Sequence, residues 1–259
     1  MATFLFNEII FGPVQSRRLG VSLGINLLPL KNKLCTFNCI YCECGFTEKI
    51  RDDDQKILPR KKITEELEKT LNSFLDSGKS IDTITFAGNG EPTLHPEFTE
   101  IIDDTILIRD RLFPDAKIAV LSNATLIGKQ NIKEALQKID HIILKIDSSF
   151  EETIKGINCP VGNFSIEKLI KEFQFFKENL TLQTLFLKGN YNGFYFDNSS
   201  EIEVAGLLNI YYELKPKLVM VYTIDRDTPV NTLEKIGLTR LNEIASKIEK
   251  LGIPVQVSG

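Results

Sequence analysis

Three cysteines on one short loop are the residues best placed to do chemistry. Leu34-Cys35-Thr36-Phe37-Asn38-Cys39-Ile40-Tyr41-Cys42 reads C-x3-C-x2-C, and it follows a strand-like run near 21–28. Thiolates in such a loop hold metal, and an all-protein [4Fe–4S] site takes four of them. Three cysteines leave one iron without a protein ligand, and an unfilled metal position is where substrate or cofactor binds. Two other readings stand beside this one. Cys44 could complete a closed four-ligand site, either structural zinc or an electron-transfer cluster, although Cys42-x-Cys44 is tight spacing for two ligands of one tetrahedron. The four could also be a chance cluster of buried thiols. Cys159 stands alone and reads as a small apolar side chain.

Composition narrows the setting. The 259 residues are 42% hydrophobic and 25% charged, an ordinary globular balance that makes a disulfide scaffold an unneeded reading for clustered cysteines. No apolar run approaches the ~18–20 residues of a membrane span, and no basic leader or cleavage site opens the chain. A cytoplasmic address and no membrane partner are expected. The net charge is −4 with basic residues dispersed, Arg60-Lys61-Lys62 being the nearest thing to a patch, which gives no broad footprint for nucleic acid.

The elements that must position the loop alternate regularly. Strands are predicted near 21–28, 81–87, 117–122, 141–147, 182–187, 217–223 and 253–257. Helices are predicted near 62–77, 97–112, 128–138, 165–179, 200–214 and 232–251. Ser165 is placed as an N-cap, and Ser200 with Glu203 as a capping box. Such alternation implies parallel strands joined by right-handed crossovers. No linker or composition shift divides the chain, so one domain over 1–259 is expected, with a cluster loop at 34–45. A doubly wound sheet and an incomplete barrel both fit. On the strand near 141–147, Lys145 and Asp147 share a face, which points to a polar interior or ligand site; a strand end emerging into solvent is the plainer alternative.

Three motifs in order carry a resemblance. Cys35-x3-Cys39-x2-Cys42, with Tyr41 before the last cysteine, resembles the signature of the radical S-adenosylmethionine (SAM) superfamily. Gly88-Asn89-Gly90-Glu91-Pro92-Thr93 resembles its glycine-glutamate-proline motif, and Leu121-Ser122-Asn123-Ala124-Thr125 its threonine-asparagine-glycine turn, with Ala124 in place of the glycine. The resemblance runs from about residue 10 to the C-terminus. Phe11-Gly12-Pro13-Val14-Gln15-Ser16-Arg17-Arg18-Leu19-Gly20 and the long form Gly88–Pro96 are most similar to the iron–sulfur oxidoreductase subgroup related to wyosine synthetases. No cysteine precedes Cys35, so the second cluster of wyosine synthetases is not implied.

The resemblance implies a partial (β/α)6 barrel of the TIM type, whose sites lie at the C-terminal ends of the strands. It implies an oxidoreductase-like enzyme with two cofactors, a [4Fe–4S] cluster on Cys35, Cys39 and Cys42 and SAM at the open iron. Reductive cleavage to a 5′-deoxyadenosyl radical would then take hydrogen from a substrate, with flavodoxin or ferredoxin as electron donor. Carried over residue by residue, Gly88, Gly90 and Glu91 face the amino group of SAM, Tyr41 the adenine, and Ser122 and Asn123 the ribose or carboxylate. Lys145 and Asp147 complete the charge. Small molecules, peptides or proteins, and tRNA are the substrate classes implied. Glycyl-radical activation and wyosine-like tRNA modification are alternatives within the family; a non-catalytic iron–sulfur or zinc module is the alternative outside it. Arg17, Arg18, Asp225 and Arg226 flank predicted strand ends and could meet an anionic substrate.

Overall fold

The computed structural model describes residues 4–16, 18–47 and 57–259. The chain divides into two compact units. The N-terminal unit comprises residues 5–35 and 47–142; the C-terminal unit comprises 143–259 with 36–46 and Phe4. The boundary therefore falls inside the cysteine loop, between Cys35 and Thr36.

In the N-terminal unit β2 (Gly20–Ile25), β3 (Thr83–Phe86) and β4 (Lys117–Ser122) pair in parallel, and β1 (Ile10–Ser16) closes the edge antiparallel to β2. Helices α1 (Arg60–Asp76), α2 (Phe98–Leu112) and α3 (Gln130–Gln137) accompany them. Helix α1 forms because Ile63, Leu67, Leu71 and Phe74 recur at helical spacing, and all four are buried. Each such side chain contributes roughly 1.5–3 kcal/mol on full burial. Arg60 of α1 donates two 2.7 Å hydrogen bonds to Asp104 of α2.

In the C-terminal unit β6 (Leu180–Tyr191), β8 (Leu218–Thr223) and β10 (Val255–Ser258) are parallel, packed with α6 (Glu201–Leu214) and α7 (Leu238–Glu249). Strands β7 (Phe194–Asp197) and β9 (Leu233–Lys235) pair antiparallel to β6. Helices α4 (Glu151–Asn158) and α5 (Ile166–Phe173) precede them. Strand β5 (His141–Lys145) begins in one unit and ends in the other. The expected fold class holds: the chain is α/β, parallel strands linked through helices with antiparallel edges, of the partial (β/α)-barrel type. Among the described residues no helix is long and apolar enough to cross a membrane.

Several expectations shift. Helix α7 starts at Leu238, and the first residues of the helix expected from 232 form β9. The helix expected over 165–179 ends at Phe173 and continues as a single 3-10 turn over Gln174–Phe176; Ser165 does cap it, accepting from the Lys168 N–H at 3.4 Å. The capping box at Ser200 does not form. Glu203 turns inward instead, where Ser148 and Thr153 hydroxyls each donate to it at 2.6 Å. The Ser200 N–H, the donor that a capping box would use, is taken by the Asp197 carbonyl at 3.2 Å.

Candidate active site

In the N-terminal unit the glycine-rich block is stitched to the residue before Cys35. The Leu34 N–H donates to the Asn89 carbonyl at 2.9 Å, and the Glu91 N–H to the Leu34 carbonyl at 3.0 Å. Gly90 has φ +141°, and a Cβ there would lie 1.7 Å from the Leu34 oxygen. Gly88 has φ +136°, and its Cβ would lie 2.6 Å from Asn26 Oδ1. Protein packing alone therefore demands glycine at both positions. Asn89, fully buried, donates to the carbonyls of Phe6 and Pro29 and holds the loop's shape.

Glu91 is 2% exposed and gathers its neighbours. Its Oε1 accepts from the Thr93 N–H (3.2 Å), the Thr93 hydroxyl (2.5 Å) and the Ser122 hydroxyl (2.8 Å); Oε2 accepts from the Asn123 N–H (2.7 Å). Burial raises its proton affinity above the ordinary carboxylate value, and these hydrogen bonds oppose that shift only in part. The turn it holds presents Asn123 Nδ2 to Cys35 Sγ at 3.5 Å. Ala124 takes φ +66°, the left-handed conformation for which a glycine is usual, so the turn survives the substitution in its motif.

In the C-terminal unit the rest of the cysteine loop is laced to the end of α4. The Ile40 N–H donates to the Ile157 carbonyl (3.0 Å), Asn38 to Asn158 (2.9 Å) and Val161 to Thr36 (2.8 Å). The Cys42 N–H donates to the Cys39 carbonyl at 3.1 Å, which sets Cys39 and Cys42 on one turn. Tyr41 is buried and its hydroxyl donates to Asp147, itself 1% exposed. Burial first, then the Asp147 carboxylate and Cys39, push the phenol's proton affinity up. Asp147 also accepts from the Leu185 N–H (3.0 Å) and from Asn158 Nδ2 (2.7 Å). Lys145 donates to Tyr222 Oη at 2.9 Å and lies 3.4 Å from Asp147 Oδ1, 18% of its side chain exposed. Burial lowers its pKa, but Asp147 and Tyr222 outweigh that and hold the ammonium above its ordinary value.

The structure thus brings Gly88, Gly90, Glu91, Ser122 and Asn123 together with Cys35, and Tyr41, Lys145 and Asp147 together with Cys39. Sequence reasoning missed Asn158, Asn198 and Tyr222. Asn198, fully buried, donates to the backbone carbonyls of Asp147 and Leu185. Among the described residues no cysteine is in a disulfide, and no three His, Cys, Asp or Glu side chains are drawn close enough to hold a metal ion. Arg226 pairs with Glu43 at 2.8 Å, Asp225 is exposed, and Arg17 lies outside the described residues.

The donor set fits an iron–sulfur group. Thiols are the right ligands, two share a turn, and carboxamide N–H groups face the sulfurs of Cys35 and Cys39. Donors to ligand sulfur are a recognised means of supporting and tuning such clusters.

A family model described as the Radical SAM superfamily matches residues 32–208, a stretch that includes the clustered cysteines, Glu91, Asn123, Lys145 and Asp147. The chain belongs to the radical SAM superfamily. A UPF0026 protein of Synechocystis sp. is 28% identical over 95% of this chain and 95% of its own length. A protein of Brachyspira hyodysenteriae named GTPase Obg is 32% identical over 85% of this radical SAM chain, which spans only 30% of that protein's length. A P-loop needs G-x-x-x-x-G-K-[ST], and Gly78-Lys79-Ser80 is preceded at the required place by Ser73. The crystal structure of a radical SAM methyltransferase from Sphaerobacter thermophilus shares the fold, with a TM-score of 0.68 and 15% identity over 92% of this chain and 65% of that one.

Proposed function

We propose that this chain holds a [4Fe–4S] cluster on Cys35, Cys39 and Cys42 and binds SAM at the iron those cysteines leave open. Family membership over residues 32–208 is the observation that carries the reading. The chemistry supplied by a cluster and SAM bound there is reductive cleavage to a 5′-deoxyadenosyl radical that takes hydrogen from a substrate. A one-electron donor of the flavodoxin or ferredoxin kind is required.

The chain's own residues orient and charge this site. Glu91 fixes the Ser122–Asn123 turn and through it the amide that faces Cys35. Asp147 fixes Tyr41. Lys145, cationic and partly exposed, is suited to the carboxylate of SAM. The subgroup reading, an iron–sulfur oxidoreductase related to wyosine synthetases, is supported by the two long motifs. Both have structural work: Phe11 packs where a Gly24 side chain would otherwise stand, and His95 bonds the Leu58 carbonyl at 2.7 Å while accepting from the Glu97 N–H.

The test is anaerobic incubation of reconstituted protein with dithionite and SAM, followed by chromatography of the nucleosides. 5′-Deoxyadenosine should accumulate above a Cys39→Ala control. Equal traces from the two proteins, the wild type carrying its iron, would assign the chain to the non-catalytic class.

A further inference from the structure

Asn158 closes α4 one residue before Cys159, which takes φ +44° and turns the chain. It is 1% exposed and touches the cysteine loop from both ends. Its backbone carbonyl accepts the Asn38 N–H at 2.9 Å, beside the Ile40-to-Ile157 bond, so the backbone on either side of Cys39 is held by the last turn of this helix. Its side-chain nitrogen lies 2.7 Å from Asp147 Oδ2, 2.9 Å from Tyr41 Oη and 3.4 Å from Cys39 Sγ.

A carboxamide nitrogen carries two hydrogens and accepts nothing. One hydrogen is committed to the Asp147 carboxylate at the shortest of the three distances. Tyr41 gives its own proton to that same carboxylate, which leaves its oxygen free to accept at 2.9 Å, with Cys39 Sγ beside it at 3.4 Å. The second hydrogen is left to the edge shared by Tyr41 Oη and Cys39 Sγ. Asp147 cannot swing away, because the Leu185 N–H and Lys145 hold its other oxygen. The amide is therefore held with its second donor on that shared edge, against the sulfur of a proposed cluster ligand and buried from solvent.

We infer that Asn158 is a positioning residue for the cluster: its carboxamide donates to the Cys39 thiolate, anchors that ligand and raises the cluster's reduction potential. This rests on the reading of Cys39 as a ligand. The physics is charge compensation. Reduction adds negative charge that spreads onto the sulfurs, and a fixed N–H donor stabilises the reduced state more than the oxidised one. The family motifs do not contain this residue, and nothing in its own sequence context, Gly156-Ile157-Asn158-Cys159-Pro160, marks it beyond a helix end.

The experiment compares wild type with Asn158→Leu, which has the same branching but no donor, after anaerobic reconstitution. Iron and sulfide are counted, and the midpoint potential is read by electron paramagnetic resonance during a dithionite titration. Wild-type protein grown with 14N- or 15N-asparagine adds a measurement that needs no variant: pulsed resonance of the reduced cluster should show a nitrogen coupling that changes with the label. The leucine variant should lose the Asn158 share of that coupling, leaving what Asn123 contributes at Cys35, and its midpoint should move to more negative potential with iron content retained. If the leucine variant keeps its apo-protein melting behaviour but sheds iron, the anchoring half of the inference is upheld. An unaltered midpoint at full iron, or an asparagine nitrogen coupling identical in wild type and the leucine variant, overturns it. Wild-type protein that takes up no iron overturns the reading beneath it as well.

Discussion

Each unit buries one carboxylate behind a cysteine, and the two are satisfied in different ways. Glu91 receives three backbone or hydroxyl donors besides the Asn123 N–H, none of them charged. Asp147 receives Tyr41, the Leu185 N–H and Asn158, and has the Lys145 ammonium 3.4 Å away. Both end at the same task, an asparagine amide turned toward cysteine sulfur: Asn123 to Cys35 and Asn158 to Cys39. One solution is built from neutral dipoles and keeps a proton affinity raised by burial. The other pairs opposite charges and stakes more on each partner.

The largest expected effect follows from that difference. Asp147→Ala leaves Lys145 beside no counter-charge and strands a tyrosine hydroxyl, an amide and a backbone N–H. It should cost about 3–5 kcal/mol in urea unfolding, as loss of one partner from a buried ion pair does. Glu91→Gln removes no ion pair. Its new amide N–H faces the Asn123 N–H, and the cost should be about 1–3 kcal/mol. The reverse order would break the comparison.

A smaller effect is in pH. Glu91 has a folded-state pKa above its ordinary value of 4.5, so the folded chain binds its proton more tightly than the unfolded one. The stability this contributes is fully present below the unfolded value and is lost as pH rises through the raised one. Unfolding curves across that window should show this slope in wild type and lack it in Glu91→Gln; identical slopes would mean that burial does not govern this carboxylate.

Much of the scaffold could be read from the chain because parallel strands and their helices announce themselves by apolar runs. Ile63, Leu67, Leu71 and Phe74 define α1 without help from tertiary structure. Helix α4 escaped, having eight residues and only Ile154 and Ile157 as buried large aliphatics. The β6–β7 hairpin escaped although its signal is there: Asn192-Gly193, with φ +51° and +78°, is the two-residue turn that joins Tyr191 to Phe194. Leu233 and Ile236 mimic a helical stripe, which hid β9. At the site, the cysteines, glycines and Glu91 are legible by type and spacing. Asn158 is not, because an asparagine's value depends on which atoms surround it, and those come from residues 11 and 119 positions away.

The central claim is an iron left open by three cysteines, and one spectrum tests it most directly. Anaerobically reconstituted protein, reduced with dithionite, is measured by electron paramagnetic resonance with and without SAM. A cluster of about four irons should give a signal that shifts on adding SAM, as a vacant coordination position requires. Cys35→Ala, Cys39→Ala and Cys42→Ala should abolish the cluster, and Cys44→Ala should leave it. A spectrum indifferent to SAM, together with loss of the metal in Cys44→Ala, would contradict the account and make the loop a closed four-cysteine site.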